Sequence, residues 1–167
     1  NADQVSEGLA LLIRSQKVSL NHLAEFREDV EGIVAAHAAA RSTAADIDKL
    51  TGLLDQARKG IDEGPSQRDA FIEIDKSIHM TLAQLTANPI YISVLHSVHD
   101  NIHRYYDEFL SMDERELQEN FQDLCDLVQA VEKGQADQAR RLARDHVHRF
   151  TQYMKSREKK VTKVSSD

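Results

Sequence analysis

Helix-breaking residues are scarce in this sequence, and apolar side chains recur every three or four positions over long segments. The 167 residues include only six glycines and two prolines. The long segments are rich in Ala, Leu, Gln, Arg, Lys and Glu, which favour the α-helix. Apolar spacing of this kind gives each helix one hydrophobic face, and such faces must pack against one another. The sequence therefore predicts an all-α fold, an antiparallel bundle of six to seven helices.

Turn and capping signals divide the chain into seven helical segments. Ser42 or Thr43 is suited to cap the third helix and Ser111 or Asp113 the sixth, while Gly134 marks a C-terminal stop. Short connections make successive helices antiparallel neighbours. The predicted spans are 4–14, 20–41, 43–62, 65–87, 89–112, 114–133 and 135–158.

Length, charge and cysteine content favour a single-domain protein that neither binds nucleic acid directly nor contains a disulfide. The length suits a single domain, 1–167, with one hydrophobic core. The formal net charge of −7 argues against a surface that follows nucleic-acid phosphates, which needs clustered positive charge. The single cysteine, Cys125, allows no internal disulfide and stands in an apolar stretch, as a core thiol does. Because no apolar run reaches the roughly 18 residues that span a bilayer, we expect a cytoplasmic protein with no membrane partner.

The segment FIEIDKSIHM, residues 71–80, carries an Asp and a His four positions apart within an apolar stripe. At about 100° per residue, Asp75 lies about 40° from Phe71, inside the stripe, and His79 lies about 80° away, on its edge. A carboxylate that faces a core is costly unless a cation, hydrogen-bond donors or a metal pairs with it. The two residues are therefore either part of a ligand site or an ordinary i, i+4 surface pair.

Other helices also turn polar side chains toward the core. In the last helix His146 lies about 20° from the centre of the apolar stripe, whereas His148 faces the opposite way. In the fifth helix His99 lies on the border of the stripe. A lone inward histidine is usually a hydrogen-bonded core residue, but inward His and Asp side chains on separate helices favour a shared metal or ligand site within the bundle.

Arg27 is an inward cation on the second helix. It lies about 40° from Leu23, within the apolar stripe. A guanidinium group that faces a cavity is suited to a carboxylate, which it grips through two parallel hydrogen bonds. The alternative is an internal salt bridge with Glu31, four residues later, and both arrangements can occur in different ligand states.

Three long stretches of the sequence together resemble one known family, the FCD domain, which is the C-terminal ligand-binding and dimerisation domain of FadR-type GntR transcription regulators. The resemblance runs nearly end to end. It is carried by the stretches SLNHLAEFREDVEGIVAAHAAARSTAADIDKL, with Arg27 and Glu31; DKSIHMTLAQLTANPI, with an Asp-x3-His run that ends in Asn-Pro; and LVQAVEKGQADQARRLARDHV, with Gly134 and His146.

The resemblance implies a cavity that binds a divalent metal, zinc or nickel, through one Asp and three His, with a small carboxylic acid effector completing the site. By position, Asp75, His79 and His146 match three of these metal ligands. The fourth position is occupied by Leu124. Three protein ligands still hold a divalent ion when water or an effector carboxylate fills the remaining positions.

The effector side of the site is expected to include Arg27 and His99. Two alternatives follow from Leu124: His99 replaces the missing metal ligand, or the pocket contains no metal and binds an anion directly through His79, His146 and Arg27.

The resemblance further implies a homodimeric regulator and not an enzyme. Effector binding would change the geometry of the dimer, and DNA would be contacted only through winged helix-turn-helix domains that precede Asn1. A helical-bundle metalloenzyme is a second hypothesis, but a di-iron site needs paired Glu-x-x-His motifs, which the sequence lacks. A third is a helical interaction module without a ligand, which predicts that Asp75 and His146 lie far apart.

Overall fold

The computed structural model describes residues 2–15, 18–64, 68–105 and 112–164, and within these ranges it contains seven α-helices and no strand. The all-α prediction is thus confirmed. No helix in the described ranges is long and apolar enough to cross a membrane. The helices are α1 (Ala2–Arg14), α2 (Leu20–Arg41), α3 (Ala44–Asp62), α4 (Arg68–Leu85), α5 (Pro89–Tyr105), α6 (Glu114–Glu132) and α7 (Ala136–Val164).

Side-chain caps set the first residues of three helices. Ser19, Thr43 and Asp113 each accept a hydrogen bond from the backbone N–H three residues later, and the side chain at that later position accepts one from the N–H of the cap. These reciprocal pairs satisfy donors that the first helical turn leaves free. Of the alternatives offered by the sequence, Thr43 and Asp113 are the caps, and Ser111 lies outside the described residues.

Within the described residues, the C-terminal ends of two helices differ from the predicted spans by two residues or more. Helix α7 continues to Val164 instead of 158; on the way Arg157 donates a hydrogen bond to the carbonyl of Tyr153 at 3.0 Å and forms an ion pair with Glu116. Helix α4 ends two residues before the predicted 87, because Ala87 takes a left-handed conformation with φ of 51°. The predicted spans also include 65–67 and 106–111, which lie outside the described residues.

Pairs of charged residues show that α6 and α7 run antiparallel. Arg157, late in α7, pairs with Glu116 at the start of α6, whereas Arg149, two turns earlier, lies 3.4 Å from Asp123, two turns later. Gly134 makes the reversal between the two helices possible, since its φ of 67° is a conformation that favours glycine.

Helix α2 packs closely against α7 at Gly32. A Cβ atom at this position would lie 2.9 Å from Cγ of Arg144 and 3.3 Å from the carbonyl oxygen of Arg140. Nearby, Arg144 forms an ion pair with Asp29 at 2.5 Å. The later residue of α2, Gly32, meets the earlier residue of α7, Arg140, so these two helices are also antiparallel. Their contact brings the inward residues of α2 toward those of α7.

The core is formed by apolar side chains from all seven helices, and Cys125 packs partly buried against it. Leu124 of α6 is completely buried in this core. Several polar side chains are nevertheless buried among the apolar ones. Those that recur in the site described below are Arg27, Glu31, His79, His99 and His146.

Two glycine substitutions test the close contact between α2 and α7. We expect Gly32→Ala to lower the free energy of unfolding by about 1–2 kcal/mol, because the cost of inserting a methyl group into a filled space exceeds the helix-propensity gain of alanine. At Gly52 in α3 no atom lies within 4 Å of the place that a methyl group would take, so Gly52→Ala should raise the same free energy by up to about 1 kcal/mol. Urea denaturation followed by circular dichroism measures both changes. Equal stabilisation by the two substitutions would contradict the packing described.

Candidate metal and carboxylate site

Three ligand atoms from two helices converge at the centre of the bundle. Asp75 and His79 are one turn apart on α4, and His146 approaches from α7. The Nε2 atom of His146 lies 3.2 Å from Oδ1 of Asp75 and 3.1 Å from Nε2 of His79. The third distance, from Nε2 of His79 to Oδ1 of Asp75, is 3.4 Å. The three residues that the sequence identified as metal ligands are therefore neighbours, contrary to what a ligand-free module would predict.

The spacing and chemistry of these atoms fit a divalent ion. Ligands about 2.0–2.1 Å from a tetrahedral ion lie about 3.3 Å from one another, and the three distances found are close to that value. Imidazole nitrogen and carboxylate oxygen are ligand types that zinc and nickel accept. Leu124, at the fourth position implied by the resemblance, is an apolar core residue and offers no ligand.

The relative burial of Asp75 and His79 differs from the helical-wheel prediction. The wheel places Asp75 inside the apolar stripe and His79 on its edge. In the structure the side chain of His79 is 3% exposed and that of Asp75 is 14% exposed. The difference arises because His79 is covered by residues of α2, α5 and α7 together, whereas a helical wheel considers one helix at a time.

Asp123 of α6 lies behind His146, on the side away from Asp75. Its Oδ2 atom is 3.6 Å from Nδ1 of His146, and both atoms are buried without a hydrogen-bond partner among the described residues. A carboxylate in this position favours a proton on Nδ1 and leaves Nε2 to bind an ion. Sequence reasoning missed Asp123, which a helical wheel places at the margin of the apolar stripe of α6, about 100° from Leu124 and about 40° from Leu127.

A second buried group adjoins the first and is centred on Glu31. Its Oε2 atom lies 3.0 Å from Nη2 of Arg27, and its Oε1 atom accepts a hydrogen bond from Nε2 of His99. Oε1 is also 3.7 Å from Nδ1 of His79. The two residues predicted to bind an effector, Arg27 and His99, thus meet on one carboxylate. His99 belongs to this second group and is not one of the three converging ligand atoms.

His79 connects the two groups. Its ring stacks between those of His99 and His146, with centroids 5.3 Å and 5.1 Å away. Its Nε2 atom faces Asp75 and His146, and its Nδ1 atom faces Glu31. A change in the position of Glu31 therefore acts directly on a residue of the candidate metal site.

The carboxyl groups of Asp75 and Glu31 both have a lowered pKa, which favours their charged form. Burial raises the pKa of Asp75, but the charge of His79 and hydrogen bonds from His146 and His79 outweigh burial and hold this pKa well below its usual value. Burial also raises the pKa of Glu31, and the charge of Arg27, helped by His99 and His79, again lowers it below the usual range. The centre of the bundle thus contains two negative charges whose neighbours are cations or proton donors.

The two outer histidines of the stack have opposite pKa shifts. Burial lowers the pKa of His146, but the carboxylates of Asp123 and Asp75 favour the protonated ring and raise this pKa to about 9. Burial also lowers the pKa of His99, and here it prevails over the opposing effect of Glu31. A proton therefore resides on His146 near neutral pH, where it occupies the position that an ion would take.

The fold is all-helical, and the two groups together form a polar centre inside it whose ligand atoms are spaced as a metal ion would require. A model of the FCD domain family matches residues 22–149, and the chain belongs to that family. Among solved structures, E. coli McbR/YncC is similar in fold, with a TM-score of 0.71 and 16% sequence identity. The match covers 82% of this chain and 64% of that chain. No curated protein sequence matches this one.

The raised pKa of His146 makes the stability of the metal-free domain depend on pH. The folded state binds this proton more tightly than the unfolded chain, so its stabilising effect is complete below about pH 6.5 and is lost as the pH rises through about 9. In EDTA we expect the free energy of unfolding to fall by up to about 3 kcal/mol across this interval. Urea titrations of the native protein and His146→Gln measure the effect, and the same pH dependence in both would contradict it.

Proposed function

We propose that this chain is the effector-sensing and dimerisation domain of a FadR-type GntR transcription regulator, and that it binds a small carboxylic acid through a divalent metal ion. The observation that carries the proposal is the convergence of three ligand atoms from Asp75, His79 and His146 within an FCD fold. The site serves binding and not catalysis. Zinc and nickel are the ions that suit these ligands.

The protein's own ligands leave part of the coordination sphere to the effector. Asp75, His79 and His146 would hold the ion, with Asp123 orienting His146 from behind. The ion, when bound, supplies positive charge that attracts a carboxylate. Because Leu124 provides no ligand, water and the effector fill more of the site than they would with a fourth protein ligand.

Arg27 and His99 support the choice of a carboxylate as the ligand. Arg27 is 4% exposed, and its Nε atom has no hydrogen-bond partner among the described residues. A buried guanidinium group with an unused donor is suited to a second planar anion.

Regulation would then follow from a difference in effector affinity between two geometries of a homodimer. A winged helix-turn-helix domain outside this chain would contact DNA, and the whole regulator would act in the cytoplasm. The negative charge of the chain, −7, agrees with a domain that senses a ligand and leaves DNA binding to another domain.

Metal binding is tested by substituting two histidines of α7, one buried and one exposed. His146 is buried in the candidate site, whereas His148 is 63% exposed and contacts Glu28 at 3.0 Å. Zinc or nickel at 100 times its dissociation constant should stabilise the EDTA-treated native protein by about 2.7 kcal/mol, and calorimetric melting temperatures measure this gain. His148→Gln should retain the gain and His146→Gln should lose it. If neither ion raises the melting temperature of the native protein, the domain has no such metal site.

Carboxylate binding is tested on two arginines. With the metal present, a panel of small hydroxy, keto and sugar acids should raise the melting temperature of the native protein for at least one member. Arg27→Gln should abolish this rise, because the buried guanidinium group is lost. Arg144→Gln, which removes an exposed cation paired with Asp29, should leave it intact. An equal rise in Arg27→Gln and native protein would remove Arg27 from the effector site.

A further inference from the structure

Glu31 stands where a carboxylate ligand of Arg27 and His99 would be expected. The carboxylate is 3% exposed and interacts with Arg27 through one oxygen and with His99 and His79 through the other. An external carboxylate that used Arg27 and His99 would have to take the same place. Two anions cannot share this site, because their repulsion in a buried environment is strong.

The ion pair between Arg27 and Glu31 is not a bidentate one. The contact between Nη2 of Arg27 and Oε2 of Glu31, at 3.0 Å, lacks hydrogen-bond geometry. Oε2 and the Nε atom of Arg27 both have no hydrogen-bond partner among the described residues. The guanidinium group also lies over the ring of Phe150, 5.7 Å from its centroid. Because a bidentate pair is stronger than this single contact, an external carboxylate that meets the guanidinium fork can compete for Arg27.

Glu31 also has a second partner available. Nδ1 of His79 lies 3.7 Å from Oε1, so a small rotation of the side chain can exchange Arg27 for His79. In that position the carboxylate would support the Nδ1 proton of His79 and leave Nε2 free for an ion. Displaced from Arg27, Glu31 would therefore not become an unpaired buried charge.

We propose that Glu31 is an internal competitor of the effector, which occupies the carboxylate-binding position of Arg27 and His99 and which an effector carboxylate must displace. This inference rests on the proposed function, since it concerns the same effector site. Glu31 then sets the concentration of effector to which the domain responds. Removal of its charge should strengthen the binding of carboxylates, whereas a purely structural salt bridge predicts weaker binding or none.

The test compares Glu31→Gln with Asp29→Asn in the presence of EDTA. Both substitutions replace a carboxylate of α2 by its amide, but Asp29 has a side chain 61% exposed and pairs with Arg144. Acetate is the probe, titrated against chloride at constant ionic strength, and its dissociation constant is obtained from melting temperatures. We expect at least about a tenfold lower dissociation constant in Glu31→Gln than in native protein, and no change in Asp29→Asn. The double variant Arg27→Gln with Glu31→Gln should lose the gain.

The outcomes separate this inference from the proposed function. If native protein binds a carboxylate and Glu31→Gln binds acetate no more tightly, the inference is wrong and the sensor function stands. If Glu31→Gln binds acetate while native protein binds no acid of the panel even with metal, the inference holds and the proposed effector function fails. Binding of acetate to neither protein, or an equal gain in Asp29→Asn, also overturns the inference.

A measurement on native protein covers the case in which Glu31→Gln does not fold. Ring-nitrogen NMR signals report hydrogen bonding of each histidine. At saturating acetate, the Nε2 signal of His99 should change as the hydrogen bond to Glu31 is exchanged for one to acetate, and the Nδ1 signal of His79 should change as Glu31 approaches it. Saturation that leaves the Nδ1 signal of His79 unchanged would overturn the inference.

Discussion

The ionised carboxylates of Asp75 and Glu31 impose the constraint on which the interior of this bundle depends. A charge removed from water is tolerated only with close partners, and each of these two carboxylates has at least two. The partners come from α2, α4, α5 and α7, so the polar centre connects four helices that apolar packing alone would only place side by side. The directional contacts give that part of the bundle one defined arrangement, which is the condition for selective ligand binding.

Most of the fold was predictable from the sequence because it rests on local rules. Capping residues such as Thr43 and Asp113, the left-handed Gly134 and the recurrence of apolar residues each act within a few positions of the chain. The early end of α4 at Ala87 and the extension of α7 to Val164 were not predictable, since the former depends on a backbone conformation that alanine rarely adopts and the latter includes an ion pair with another helix.

The candidate site was predictable only in part. Helical geometry and family resemblance together identified Asp75, His79 and His146, which the structure brings together. The sequence could not rank their burial, since that depends on three neighbouring helices, and it gave no signal for Asp123. The role of Glu31 as the shared partner of the expected effector residues likewise depends on how α2 faces α5, which no single-helix argument contains.

Because α7 is long, a small change in its orientation at His146 moves its far end by a much larger distance. A helix of 29 residues is about 43 Å long, and His146 stands about a third of the way along it, where contacts to α4 and α6 hold it. The segment from His146 to Val164 is about 27 Å long, and Arg157 within it is paired with Glu116 of α6. A tilt of only about 5° at His146 would displace the far end of that segment by about 2 Å and would pass to α6 through this ion pair, so α7 can amplify a small rearrangement of ligands into a larger movement of both helices.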